Sequence, residues 1–484
     1  MKTAKFEDYP LSGEILEALA LMGFDHPTRV QAKVIPPLLA GQDVIVKSQT
    51  GSGKTAAFGI PLCHLVSWEE NRPQVLILTP TRELALQVKE DLFHIGRLKR
   101  LKIVPVFGKS PFHLQAKQLK QKTHMVVATP GRLIDHMEQG TIDLSAVNYV
   151  VIDEADEMLK MGFIEQIDEI LTRVPTPRVT TLLSATFPDH IQKLSARYMQ
   201  RPMIIEVIDE SPAAQRIHQV LMRVCANQKL QTLEDVLVSE HPDSCMIFCN
   251  TQIVVEGIYE ALCEQGISCD RIHGGMEQKD RLKVMDAFRN GSFRYLVATD
   301  VAARGIDIDN IGLVVNYDVP NNRENYVHRI GRTGRIGNQG KAITFCSPEE
   351  AQDLQKVYDY IDRTIEEVLA PSQAHIDQGR VAFDAKTAKG PEKKIQKTEK
   401  LNAQIMKLHI RGGKKTKMRP VDVVGGICAI PGITANDIGI INIFDLSTYV
   451  EILNHKGEVV LEALQHIPIK GRLRVVSKVD TKNS

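Results

Sequence analysis

Between Val44 and Val207 short apolar runs alternate with longer stretches in which apolar residues recur at helical spacing. The runs Val44 to Val46, Val75 to Leu78, Ile103 to Phe107, Met125 to Ala128, Tyr149 to Ile152, Thr181 to Leu183 and Met203 to Val207 have the length of strands. Strands that alternate with helices predict a parallel sheet covered on both faces, and strands apolar on both sides suit it. A more polar passage with Ser211-Pro212-Ala213-Ala214 reads as a linker over 208–219. The rhythm then restarts at Cys245 to Cys249, Tyr295 to Ala298, Leu313 to Asn316 and Ala342 to Cys346. The expectation is one α/β domain over 1–207 and a second over 220–369, alike in architecture but without a sequence repeat.

Apolar runs vanish beyond Ala370, and lysines gather at 386, 389, 393, 394, 397 and 400. Such a charge run predicts a flexible basic tether over 370–403. From Ile405 order returns. Met406 to Ile410, Ile438 to Ile443, Tyr449 to Leu453 and Leu473 to Val476 read as strands, with helices at Pro420 to Ile430 and Glu458 to Gln465. The order β-α-β-β-α-β fits a ferredoxin-like α+β domain over 404–479, the scaffold of RNA-recognition (RRM-like) modules.

At 484 residues and 43% apolar content the chain has room for about three cores. Sixty basic against fifty-nine acidic residues leave a net charge of +1, which points to no partner. The C-terminal region differs: from residue 404 onward there are twelve Lys and Arg against seven Asp and Glu. The eight cysteines are scattered without Cys-x-x-Cys spacing, which predicts buried free thiols rather than zinc ligands. No apolar core of a signal peptide follows Met1, and no run approaches the length of a membrane span, so a cytoplasmic protein without membrane contact is expected.

The first chemical signal is Ser48-Gln49-Thr50-Gly51-Ser52-Gly53-Lys54-Thr55, placed after an apolar run and before a helical segment. Glycines 51 and 53 let backbone N–H groups turn inward on a phosphate, Lys54 places a point charge at the outer phosphates, and the Thr55 hydroxyl suits Mg²⁺. Ser48 stands where the strict pattern has Gly. A neighbouring strand should then deliver a carboxylate to the same sheet edge, and Tyr149 to Ile152 leads straight into Asp153-Glu154-Ala155-Asp156. Asp153 is placed to hold Mg²⁺ through Thr55 and water, and Glu154 to orient or deprotonate the attacking water.

The loop at 48–55 and Asp153-Glu154-Ala155-Asp156 together resemble the DEAD-box family of ATP-dependent RNA helicases. Further motifs match in order. Gly23 to Gln31, with Phe6 upstream, is similar to the family's adenine-reading motif, which implies ATP contacts from Phe6, Thr28 and Gln31 as well as from Gly51, Ser52 and Gly53. Gln31 carries the paired donor and acceptor that an adenine edge requires. The turns Thr79-Pro80-Thr81-Arg82 and Thr129-Pro130-Gly131-Arg132 suit a phosphate chain crossing the sheet, and in the family they bind RNA. Gly108-Lys109 stands where many members have Gly-Gly. Ser184-Ala185-Thr186 matches the motif implied to couple hydrolysis to strand separation.

In the second half, His328-Arg329-Ile330-Gly331-Arg332-Thr333-Gly334-Arg335 offers cations for the charge that spreads over a γ-phosphate in the transition state. If the stretch is helical, Arg332 and Arg335 share a face and reach across the cleft as arginine fingers; the alternatives for a basic face are solvation or direct nucleic-acid binding. The resemblance implies that His328 links the domains, that Asp307 lies at the nucleotide, and that Thr299, Asn250 and Gly274 lie at RNA, with Gln278 and Arg281 beside them. It also implies a fold of two RecA-like domains, clamping driven by ATP binding, local prying of strands rather than long translocation, and a monomer.

A core that grips phosphates leaves selectivity to the C-terminal domain. Arg411, Lys414, Lys415 and Lys417 crowd its first loop and Arg472 leads to its last strand. With Tyr449 alone as an aromatic on the central strands, binding through the basic loops is preferred to base stacking. A DEAD-box core followed by such a domain is similar to bacterial members for which the tail anchors a hairpin of large-subunit ribosomal RNA, and it implies work on pre-ribosomal particles in ribosome biogenesis. Two rivals stand beside this reading. A nonenzymatic RNA-binding or annealing protein should have lost one of Lys54, Glu154, Arg332 or Arg335, and a DNA-translocating helicase of the same superfamily is disfavoured by Gln31 and by the RNA-type tail.

Overall fold

The computed structural model describes residues 4–48, 52–207, 217–300, 311–334, 340–391 and 399–479. Its first sheet holds β1 (Val44–Lys47), β2 (Val75–Leu78), β3 (Ile103–Val106), β4 (Met125–Ala128), β5 (Tyr149–Ile152), β6 (Val179–Ser184) and β7 (Met203–Glu206). All seven are parallel, in the order β3-β4-β2-β5-β6-β1-β7. The four-residue strands β2 and β4 are apolar and fully buried, as a sheet sandwiched between helices demands. Because β5, β6 and β1 are neighbours, the turns that follow them come together at one sheet edge.

A second sheet repeats the plan with β8 (Ile217–Arg223), β9 (Cys245–Cys249), β10 (Cys269–Ile272), β11 (Tyr295–Thr299), β12 (Leu313–Asn316), β13 (Gly340–Cys346) and β14 (Glu366–Glu367), ordered β10-β11-β9-β12-β13-β8-β14. Three of these strands escape the sequence pattern, among them β14, which is only two exposed glutamates long. β10 is an edge strand whose Asp270 and Arg271 interrupt any apolar run, and β8 opens with Ile217-His218-Gln219, inside the passage read as linker. Residues 208–216 lie outside the described segments.

The expected flexible tether is largely an ordered helix, Gln373–Lys389, packed on the helix Lys229–Glu240 of the second domain. Ile376 and Phe383 are buried in that domain's core, and Gly379 approaches so closely that a Cβ would sit 2.4 Å from the Val238 carbonyl. Lys386, counted above as tether charge, donates to the His241 carbonyl at 2.8 Å and pairs with Asp243 at 2.7 Å. A stripe of three contact positions among polar neighbours is too sparse to read as a packed face.

The last domain has the expected β-α-β-β-α-β order. Strands β15 (Met406–Arg411), β16 (Ile438–Ile443), β17 (Ser447–Ile452) and β18 (Val476–Lys478) form an antiparallel sheet, β16-β17-β15-β18, with helices Pro420–Cys428 and Gly457–Ala463. Leu408, Ile410, Val423, Val450, Ile452 and Val460 make its core. All eight cysteines are free; Cys225 and Cys263 are exposed rather than buried.

Candidate nucleotide and RNA sites

The phosphate loop joins β1 to the helix Lys54–Leu65. Gly53 closes it with φ +87°, a backbone conformation that favours glycine, and Gln31 Nε2 lies 2.7 Å from where a Cβ would sit. Lys54 is buried with its Nζ donating to the Ser48 carbonyl at 2.9 Å, and Thr55 follows in the first helical turn. Ser48 Oγ bonds Ser52 Oγ at 2.7 Å. Thr28 caps the helix Arg29–Leu39, and its hydroxyl donates to the Ser52 carbonyl at 3.1 Å. The Gln31 amide accepts from Thr28 N at 2.9 Å and donates to the Gly53 carbonyl at 3.3 Å. Gln31 therefore ties its motif to the loop. Phe6 sits in the apolar core, edge-on to Phe24, not on an open wall where a base would stack. Gly51 lies outside the described residues.

Asp153 follows β5 and is 3% exposed; it accepts from Glu154 N at 3.0 Å. Glu154 takes the left-handed conformation, φ +52°, which is costly for any residue but Gly and is found where a site fixes the backbone. Burial first, then the adjacent Asp153, pushes the Glu154 carboxyl up to about 7, against the opposing pull of Lys54 and Arg332. Burial likewise raises Asp153, with Lys54 opposing. Asp156 Oδ2 accepts from both the backbone N and the hydroxyl of Thr186, each at 3.1 Å, while the Ser184 hydroxyl bonds the Thr186 carbonyl. This joins the turn after β5 to the turn after β6.

The second domain meets these turns. The helix Arg323–Ile330 carries His328, whose Nδ1 lies 3.9 Å from Glu157 Oε1 of the first domain. Burial lowers the His328 pKa, so the ring favours its neutral form there. Glu324 pairs with Lys160 across the same boundary. Arg332 is buried, and its charge acts on Glu154. The helix stops at Ile330, however, and Arg332 lies in the turn beyond it, not on the helical face expected from spacing. Glycines at 331 and 334 make continued helix unfavourable. Arg335 and Asp307 lie outside the described residues.

On the other side of the cleft Thr81 caps the helix Arg82–Ile95, its hydroxyl accepting from Leu84 N at 3.2 Å, with Pro80 just before. Arg82 donates to Gln278 at 2.9 Å, Gln278 donates to Glu83 at 2.9 Å, and Arg281 pairs with Glu83 at 3.0 Å. Thus Arg82, read from sequence as an RNA contact, and Gln278 and Arg281, read as lying beside the RNA-side motifs, here bridge the two domains. Glu83 and Glu157 are the partners that sequence reasoning left out, although both stand inside or beside quoted motifs. Thr129 precedes the helix Pro130–Glu138, which contains Gly131; Arg132 of that helix donates to the Ser110 carbonyl at 2.8 Å. Lys109 has φ +54°, so the position after Gly108 keeps a glycine-like backbone despite its side chain.

Asn250 lies in a dense network. It donates to the Val319 carbonyl at 2.8 Å and accepts from Arg329 at 2.9 Å, while Arg329 also forks onto Asp300. Thr299 ends β11, and Gly274 follows β10 beside Gln252. In the last domain Arg411, Lys414, Lys415, Lys417 and Arg472 are all exposed. Tyr449 is not alone on the outer sheet face: His409, its register partner, lies 5.1 Å away and the Phe444 ring 5.8 Å. The single-letter pattern hid this cluster because Phe444 comes from the loop after β16.

Two parallel-sheet domains that close over one phosphate loop, with buried acid groups on one wall and a buried arginine on the other, define a nucleotide-driven motor. Family models match the chain as DEAD/DEAH box helicase over 28–194, Helicase conserved C-terminal domain over 228–337 and DbpA RNA binding domain over 407–478. ATP-dependent RNA helicase DbpA of Bacillus subtilis (strain 168) is 53% identical over 475 residues, spanning 98% of this chain and 99% of the relative. ATP-dependent RNA helicase DbpA of Escherichia coli (strain K12) is 40% identical, spanning 93% and 94%. Among solved structures, S. cerevisiae Dbp5 bound to RNA and ADP BeF3 superposes with a TM-score of 0.70 at 28% identity, covering 78% of this chain and 99% of that one. The chain belongs to the DEAD-box family of ATP-dependent RNA helicases and, by its C-terminal domain, to the DbpA type.

Proposed function

We propose that this helicase is anchored by its C-terminal domain to a structured segment of large-subunit ribosomal RNA and locally opens RNA in pre-ribosomal particles, in the cytoplasm. The observation that carries the anchoring is the exposed loop of Arg411, Lys414, Lys415 and Lys417, on a domain matched as DbpA RNA binding domain, beside a core whose motifs suit phosphates. The loops are favoured over the sheet face because Glu451 on that face is buried against Arg97 of the first domain.

In this reading Lys54 neutralises the outer phosphates, Gly53 and Ser52 bind through the loop backbone, and Thr28 and Gln31 brace the loop beneath the nucleotide. Glu154 takes the proton of the attacking water. Arg332 faces the charge that develops on the γ-phosphate. Two adjacent buried carboxylates with raised pKa values, opposed among the described residues by Lys54 and Arg332, suit a hard divalent cation, and Thr55 with Asp153 would hold Mg²⁺ by oxygen. Bound Mg²⁺ would offset phosphate charge. Thr81, Arg82, Gly108, Thr129, Gly131, Arg132, Asn250, Gly274 and Thr299 line the path given to RNA, and Ser184 with Thr186 transmits the state of Asp156.

Crosslinking in cells followed by sequencing tests the anchoring. The full chain is expected to recover large-subunit ribosomal RNA at a defined segment, and replacement of Arg411, Lys414, Lys415 and Lys417 by Glu to erase that enrichment. An unchanged profile in the variant would defeat the assignment.

A further inference from the structure

The C-terminal domain does not hang free. Four basic residues of the first domain grip it: Arg97 pairs with Glu451 at 3.2 Å and bonds Asn402, Arg100 donates to the Ala435 carbonyl at 2.7 Å, Lys102 to the Ile441 carbonyl at 2.6 Å, and Lys117 pairs with Asp445 at 2.7 Å. Arg97 and Glu451 are about nine-tenths buried. Glu451 lies on the outer face of its sheet, where an isolated domain would leave it in water; an uncompensated charge at that burial is disfavoured, so the pair specifies its partner. Apolar contact continues the interface, since Leu401, Ile405 and Leu453 belong to the first domain's own core cluster.

We propose that this surface of the first domain is a docking site for the chain's own C-terminal domain, and that docking fixes the direction in which anchored RNA meets the core. Lys117 stands on the helix Phe112–Leu119, just beyond Gly108 and Lys109. Its partner Asp445 lies in the loop that holds the basic one, with Lys414 N bonded to the Phe444 carbonyl at 2.8 Å and Lys415 N to the Asp445 carbonyl at 3.0 Å. Docking therefore fixes the position of Lys414 and Lys415 relative to the first domain, along the edge formed by β3 and the helix Phe112–Leu119. The helix Gln373–Lys389 is seated on the second domain, while the C-terminal domain is seated on the first. The orienting role rests on the RNA-anchoring function proposed above; the docking itself does not.

Energy transfer between dyes on non-natural amino acids at exposed Glu17 and His466 of the full chain, without RNA, reads the docking directly. Arg97→Glu and Lys117→Glu should each lower the transfer, and the swaps Arg97→Glu with Glu451→Arg and Lys117→Glu with Asp445→Lys should restore it. The exposed Lys117 pair keeps the test valid if the buried pair disturbs folding. Transfer unaffected by the single reversals would overturn the docking. With a duplex joined to purified large-subunit ribosomal RNA, loss of the fixed orientation should slow unwinding roughly tenfold, as loss of effective concentration does, with hydrolysis stimulated by poly(U) unchanged. Full unwinding by undocked variants would overturn the orienting role. Failure of the unaltered chain to bind that RNA would instead strike the anchoring function.

Discussion

In the proposed mechanism the chemistry turns on Glu154. It is buried, held in the left-handed region, and set beside Asp153, so Glu154→Gln changes charge and basicity with little change of shape. ATP hydrolysis should fall by about 10²- to 10⁴-fold, the range of a lost general base, while fluorescent-nucleotide titration shows binding retained. Lys109 gives a second test. Its φ of +54° is strained for a side chain, so Lys109→Gly should raise stability by about 1 kcal/mol at most in chemical denaturation. Lys54, Asp153 and Glu154 were legible because a strand, a Gly-rich loop and a second strand leave them one place to go. What Gln31, Asn250 and Arg82 touch was not legible: a motif gives a side chain's chemistry, but which polar atom is already engaged depends on neighbours 22 to 196 residues away.

Elements were legible in proportion to their burial. β2, β4 and β9, wholly apolar and buried, stand out from composition alone. Edge strand β10 and the helix Gln373–Lys389 do not, because each buries too few side chains to impose a period. That helix makes a sharp prediction. Gly379→Val drives side-chain atoms into the Val238 carbonyl and Ser239 backbone, so the helix should detach, lowering stability by about 1–3 kcal/mol. Thermal unfolding and faster proteolysis within 373–389 check it. The arginines expected to act as fingers teach the opposite. Spacing of three reads as one helical face, yet the helix ends at Ile330, and Arg332 reaches its place from a turn.

At the scale of the whole molecule, the two sheets meet at both ends of one cleft. Glu83 with Gln278 and Arg281 closes the side of the RNA-type turns, and Glu157 and Lys160 with His328 and Glu324 close the nucleotide side. The domain count and the kind of each domain were open to sequence reasoning; the pairing across the cleft was not, since it joins residues that no local pattern relates. In the proposed function the nucleotide site is complete only when the second domain lends Arg332 to it. Single-turnover hydrolysis of RNA-bound, ATP-loaded protein tests this directly. Arg332→Gln should retain nucleotide binding and lose about 10³-fold or more in rate, the scale of an arginine finger. A rate equal to that of the unaltered chain would contradict the account.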